Sequence, residues 1–286
     1  MESITTLAKN MNVSTKTAWL CRMKIYQSIK NIYGYNDTFN SITEVDGKYE
    51  RISFKGLKDK AYFLDRLNRM PRHHRSREDR IKYLGDNYNK LFCSKPGLLK
   101  HLIYDTGKRL NGQYAIDINH QHVCIITAID RSNNIFIAPS TAGVPKSKDV
   151  YDRLSNKISS DAVLVSDNHA SYRYLVKRDN LEHIVIDTTL HTNSTFSLAR
   201  VNSLHSSLDR FLRGNEFLPA TKYLDLYLMM FWWLEKNKDE PTVNLCESLY
   251  NLLIGYVPNV TRANMHPVTI TRLNARQLPI DCKGYY

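Results

Sequence analysis

The stretch VNSLHSSLDRFL (201–212) carries Asn202, His205 and Asp209 at three- and four-residue steps. Val201, Leu204, Leu208 and Phe211 follow the same steps one position over, so the segment reads as a helix with an apolar face and an adjacent polar stripe. Taken alone, the stripe fits an amphipathic surface helix with solvated polar residues. Two acids elsewhere make it more interesting. Asp46 lies inside ITEVDGKYERISF (42–54), an alternating, β-branched and aromatic run that predicts a strand. A carboxylate within a strand needs a partner unless that strand is an edge facing water, because burying an unpaired charge is costly. Asp167 directly follows AVLVS (162–166), a buried-looking strand, and groups just past the carboxyl ends of strands face the functional crevice of open α/β sheets.

The elements that must position these residues follow in order. HVCIITAI and IFIAPS, joined by Asp130–Asn134, predict a hairpin, and SKDVYDRLSNKI (147–158) a helix. HASYRYLVK predicts a helix and HIVID (183–187) a strand. After a polar loop come the helix of 201–212 and a second long helix, TKYLDLYLMMFWWLEK (221–236), then a helix near 243–255 and a tail with Pro258, Pro267 and Pro279. A leading hairpin, βα units and a closing helix are the order of the ribonuclease H-like fold. The predicted class is therefore α/β, a mixed sheet flanked by helices. Near the start, ITTLAKNMNVSTKTAWLCRMKIYQSI reads as two helices around a short turn, with Ser14 as N-cap of the second. This is a helix-turn-helix candidate offering Lys16, Thr17, Arg22 and Lys24 to DNA, although two-helix hairpins also serve as plain packing units. The expected organisation is a helix-turn-helix segment (1–37), a catalytic domain (38–240) with a basic insertion near 56–118, and a C-terminal helix and tail (241–286).

The formal net charge of +12 implies an anionic partner, with nucleic acid ahead of membrane. Residues 51–110 hold sixteen Lys and Arg against six Asp and Glu. Within them MPRHHRSREDR is the densest positive run, a phosphate-contacting arm through Arg72, Arg75 and Arg77 or else a solvated charge run. The five cysteines are scattered and never in CxxC spacing, which argues against a zinc ribbon or a disulfide framework in this chain. Free thiols fit a reducing cytoplasm, with a nucleoid-associated place for a DNA-bound protein. No secretory signal pattern is found, and LYLMMFWWL (226–234) is too short to span a bilayer.

EVDGKYERISFKG (44–56), VCIITAIDRSNNI (123–135), VLVSDNHASYRYL (163–175), LEHIVID (181–187) and the two helices at 201–212 and 221–236 together resemble the insertion-sequence transposases of the DDE superfamily, in the ISXO-type branch. The resemblance covers roughly 44–236 and, more weakly, 4–27. It implies a catalytic set of Asp46, Asp167 and Asn202, two aspartates and an asparagine in place of the usual third acid. These three would be hard oxygen ligands for Mg²⁺ or Mn²⁺, with His205 orienting a water or contacting phosphate. It implies DNA partners, the terminal repeats of an element and a target, and an assembly of several copies on DNA.

The sequence departs from the branch at Gly47, where Glu is usual, at Asp209, where Lys is usual, in the absence of the zinc ribbon common in relatives, and in the length of the segment between Phe54 and His122. Two other readings stay open: a DNA-binding protein without catalysis, and a ribonuclease H-like nuclease acting on RNA or junctions.

Overall fold

The computed structural model describes residues 2–55, 63–64, 70, 76–104, 122–187, 196–213 and 219–255. They fall into two compact units. The first draws on Met1–Lys55 and His120–Arg272, the second on Gly56–Asn119 and Leu273–Tyr286.

The first unit is built on a five-stranded sheet: β1 (Thr43–Arg51), β2 (His122–Asp130), β3 (Ile135–Ala142), β4 (Val163–Asp167) and β5 (Glu182–Ile186), in the order β3-β2-β1-β4-β5. β1, β2 and β3 run antiparallel to their neighbours, while β1–β4 and β4–β5 are parallel pairs. This is the ribonuclease H-like order. β1 is the central strand, not an edge, so solvent on an open edge does not explain Asp46. The β2–β3 turn is held by Asp130, whose Oδ1 accepts from the backbone N–H groups of Ser132 (2.9 Å) and Asn134 (2.8 Å).

One face of the sheet buries Val45, Cys124, Ile126, Ala138 and Leu164 with Val150 and Leu154 of α6 (Ser147–Leu154) and Leu175 of α7 (Arg173–Asp179). α6 stops four residues short of the predicted end, at Leu154: Ser155 turns to a ψ of 138°, which breaks the helix, and Asn156 then takes a positive φ of 60°. Asp167 is the last residue of β4 rather than the first beyond it.

Against the other face lie α8 (Ala199–Arg213) and α9 (Leu224–Lys236). The buried residues of α8 are Val201, Leu204, Leu208 and Leu212, which is the predicted stripe with Leu212 replacing Phe211 at its end.

The N-terminal helices α1 (Ile4–Asn10) and α2 (Thr15–Tyr33) belong to this unit, with Ser14 capping α2 by accepting from the Thr17 N–H. α2 packs on α9 through edge-on contacts of Trp19 with Tyr223 (5.3 Å) and Tyr26 with Tyr227 (5.2 Å). Buried Asp225 of α9 binds both the Lys30 ammonium and the Tyr35 hydroxyl. α2 ends at Gly34, whose φ of 56° lets its N–H cap the Lys30 carbonyl at 2.9 Å. α10 (Thr242–Gly255) follows α9.

The second unit contains α3 (Arg77–Leu84), α4 (Asn87–Ser94) and α5 (Pro96–Tyr104), gathered around Leu84, Leu91, Leu99 and Ile103. Among the described residues no helix is long and apolar enough to cross a membrane.

Candidate active site

Alternation along β1 sends Glu44, Asp46, Lys48 and Glu50 to the face covered by α8, and Val45, Gly47 and Tyr49 to the opposite one. In the parallel β1–β4 pair, Glu44 stands opposite Val165. Two residues further along each strand, Asp46 is level with Asp167. The two residues thus belong to neighbouring strands, and the Asp167 charge is felt at Asp46.

Each carboxylate has one oxygen committed locally. Asp46 Oδ1 accepts from the Gly47 N–H at 2.7 Å, and Asp167 Oδ1 accepts from the His169 N–H at 3.1 Å. Burial pushes the Asp46 carboxyl up to about 6, with the Asp167 charge adding to the rise against the lowering effects of the Gly47 N–H and Lys48.

His205 of α8 closes the group. Its Nδ1 lies 3.8 Å from Asp46 Oδ2, and its Nε2 is 2.6 Å from the Thr127 hydroxyl. Thr127 stands opposite Asp46 in the β1–β2 ladder and donates to the Asp46 carbonyl at 2.9 Å. With its one proton so used, the Thr127 oxygen accepts from His205 Nε2–H, which leaves Nδ1 as an acceptor facing Asp46. Burial and the nearby Lys48 lower the His205 pKa to about 4, so the ring is neutral at pH 7.

Asn202 stands one turn before His205 on the same flank of α8, exposed, and no hydrogen bond joins its side chain to Asp46 or Asp167. The structure thus brings His205 to Asp46, with Asp167 on the neighbouring strand and Asn202 exposed on α8.

The two departures have local explanations. Asp209 pairs with Lys48 at 2.9 Å, so its charge is neutralised from the strand beneath. A Cβ at Gly47 would meet Cys124 Sγ at 3.4 Å, on the side of the sheet away from Asp46. Position 47 therefore does not share the pocket of the two aspartates.

Of the DNA-binding candidates, Lys16, Thr17 and Lys24 are exposed on α2, and Arg77 is exposed at the start of α3. Arg22 corrects the sequence reading. It is buried, 8% exposed, and its guanidinium donates to the Glu2 carbonyl at 2.6 Å, so it ties down the chain start instead of facing DNA. Arg72 and Arg75 lie outside the described residues.

Sequence reasoning did not single out Glu44, Lys48 or Thr127. Only the alternation of β1 hints that Glu44 and Lys48 share a face with Asp46.

Among the described residues no three His, Cys, Asp or Glu side chains group as a metal site. The aspartate pair nevertheless fits a divalent cation. Both groups offer hard oxygens, each has an oxygen without a hydrogen bond among the described residues, and their mutual repulsion favours a positive guest. That cation competes with the proton on Asp46, so its binding should strengthen as pH rises through about 6. Calorimetric titration with Mn²⁺ is expected to give about tenfold weaker binding at pH 5 than at pH 7.5, and equal affinities would contradict the assignment.

The sheet order and the helix crossing it define a ribonuclease H-like domain. Residues 100–236 match the family described as ISXO2-like transposase domain. Over that span the chain is thus similar to insertion-sequence transposases of the DDE superfamily, whose members cleave and transfer DNA. The matched span includes Asp167, Asn202 and His205 and begins after β1, so Asp46 lies outside it. No curated protein matches the chain.

Proposed function

We propose that this transposase uses Mg²⁺ or Mn²⁺ to cleave DNA at the ends of an insertion sequence and to join the freed 3′ ends to a target. Asp46, Asp167 and Asn202 form the ligand set. The observation that supports this reading is the parallel pairing of the strands that carry Asp46 and Asp167, whose register continues to set the two level, with His205 Nδ1 3.8 Å from Asp46.

A bound divalent cation supplies activation of the attacking oxygen and stabilisation of the leaving one. The chain's own residues do the rest. The aspartates hold one committed oxygen each against a backbone N–H, which fixes the direction of the other. His205 Nδ1, an acceptor locked by Thr127, takes a hydrogen bond from the attacking water and so orients its lone pair toward phosphorus. Asn202 adds a neutral amide oxygen from the exposed flank of α8, so the set carries two negative charges rather than three.

In the first step water bonds to phosphorus as the bond to the 3′ oxygen breaks, leaving a 3′-hydroxyl and a 5′-phosphate. In the second, that hydroxyl attacks a target phosphodiester, exchanging one ester bond for another.

The test is direct. The chain, incubated with Mg²⁺ and the DNA flanking its reading frame, is expected to give nicked and strand-transfer products. Chelation by EDTA and the substitution Asp167→Ala should each remove both. Nicking without transfer would favour a nuclease, and binding without either would favour a DNA-binding protein. That last reading drew on Gly47 and Asp209, and neither occupies the pocket of the aspartate pair.

We assign α1 and α2 to DNA contact through Lys16, Thr17 and Lys24. Lys16→Ala and Lys24→Ala should each weaken binding evenly across sequences and flatten the log–log salt dependence by about one unit. Arg22→Ala should leave that slope unchanged and lower thermal stability instead, because it releases the Glu2 contact. Anisotropy titrations at several salt concentrations separate the two effects.

A further inference from the structure

We propose that Glu44 is a positioning residue that sets the register of α8 over β1, and so decides whether His205 meets Asp46. The inference rests on the catalytic reading above. Glu44 is fully buried at 0% exposure, two residues before Asp46 and on the same face. Its Oε2 accepts from the backbone N–H groups of Arg200 (2.8 Å) and Val201 (3.1 Å). Those are unsatisfied donors of the first turn of α8, so a strand carboxylate does the work that a cap residue normally does from within the helix. Its negative charge also meets the positive end of the helix dipole. The second oxygen, Oε1, is buried without a hydrogen-bond partner, with the Arg131 guanidinium 3.6 Å away. A costly buried carboxylate is thus retained at the point where α8 begins.

The helix and the strand then run in step. One helical turn of four residues advances about 6 Å, and two strand residues advance about 6.6 Å. Accordingly Glu44 meets Arg200 and Val201, Asp46 meets His205, and Lys48 meets Asp209. Glu44 pins the upstream end and the Lys48–Asp209 pair the downstream end, with the catalytic contact between them. A slip of one residue along α8 would turn His205 by about 100° and shift it by about 1.5 Å. It would then leave both Asp46 and Thr127.

The experiment compares Glu44→Gln, which keeps an acceptor oxygen in place, with Glu44→Leu, which removes it, in the full chain. Glu44→Leu is expected to speed amide exchange at Arg200 and Val201 at least tenfold and to move the His205 imidazole ¹⁵N resonances in metal-free protein. It should lower kcat for DNA cleavage about 100-fold with DNA affinity unchanged. Glu44→Gln should restore the exchange rates and the resonances and bring kcat to within about fivefold of the parent. If Glu44→Leu does not fold, Glu44→Asp, which withdraws the oxygens by one methylene, carries the same expectations. Unmoved His205 resonances together with unmoved exchange overturn the proposal, as does a Gln variant that behaves like Leu. If the resonances and exchange shift while the parent chain cuts no DNA with Mg²⁺ or Mn²⁺, the positioning role stands and the catalytic reading falls.

Discussion

Asp46→Asn is expected to reduce metal-dependent DNA cleavage by about a thousandfold or more, the scale of losing a main electrostatic stabiliser of the transition state, while leaving DNA affinity within about twofold. The side chain keeps its size, and an amide oxygen can still accept from the Gly47 N–H, so the strand and its partners are undisturbed. What goes is one of the two negative charges that sit level on β1 and β4. A carboxamide also has no reason to take up a proton near pH 6, so the pH step in cation binding should vanish together with the activity. Gel assays of nicking, anisotropy of DNA binding and Mn²⁺ titration at two pH values check the three parts. Preserved turnover in this variant would remove Asp46 from the site.

A second large effect is expected in stability. Phe39→Ala should cost about 3–5 kcal/mol, the range for emptying a buried aromatic site, and lower Tm by about 10 °C or more in a unit of this size. Phe39 is fully buried and lies in the core with Val45, Phe136 and Leu164. Its backbone is clamped as well: its N–H donates to the Lys157 carbonyl at 2.8 Å and its carbonyl accepts from the Ser159 N–H at 2.8 Å. Through it the chain between α2 and β1 is fastened beside the end of α6, so the loss would loosen the approach to the strand that carries Asp46. Thermal melts followed by circular dichroism give the number. A shift under 2 °C would mean the core closes over the gap.

Much of this architecture could be read from residue types. The strands announce themselves by β-branched alternation, and Asp167 by its place at the end of one. The stripe of α8 gave the helix and its buried face. Registers, by contrast, are relations between distant segments, and nothing local in EVDGKYE tells that Glu44 reaches residues 200 and 201. For the same reason nothing in the sequence around Asp209 tells that Lys48 lies beneath it. Arg22 misled because a long side chain on the inner face of a helix can run its apolar stem through the core and deliver its head to a carbonyl at the surface. The basic segment reads only as helical fragments, with no bounds, because the helices described there, of eight or nine residues, are too short for periodicity to mark their ends.

The ladder between β1 and β2 closes with Arg51 directly opposite His122, although some seventy residues separate them in the chain. Topologically, then, the chain between β1 and β2 leaves and rejoins the sheet at one doorway, where a tight hairpin of a few residues would serve as well. Such an arrangement makes that insertion an exchangeable cassette: evolution, or a designer, can lengthen or replace it and leave the strand pairing beneath Asp46 intact.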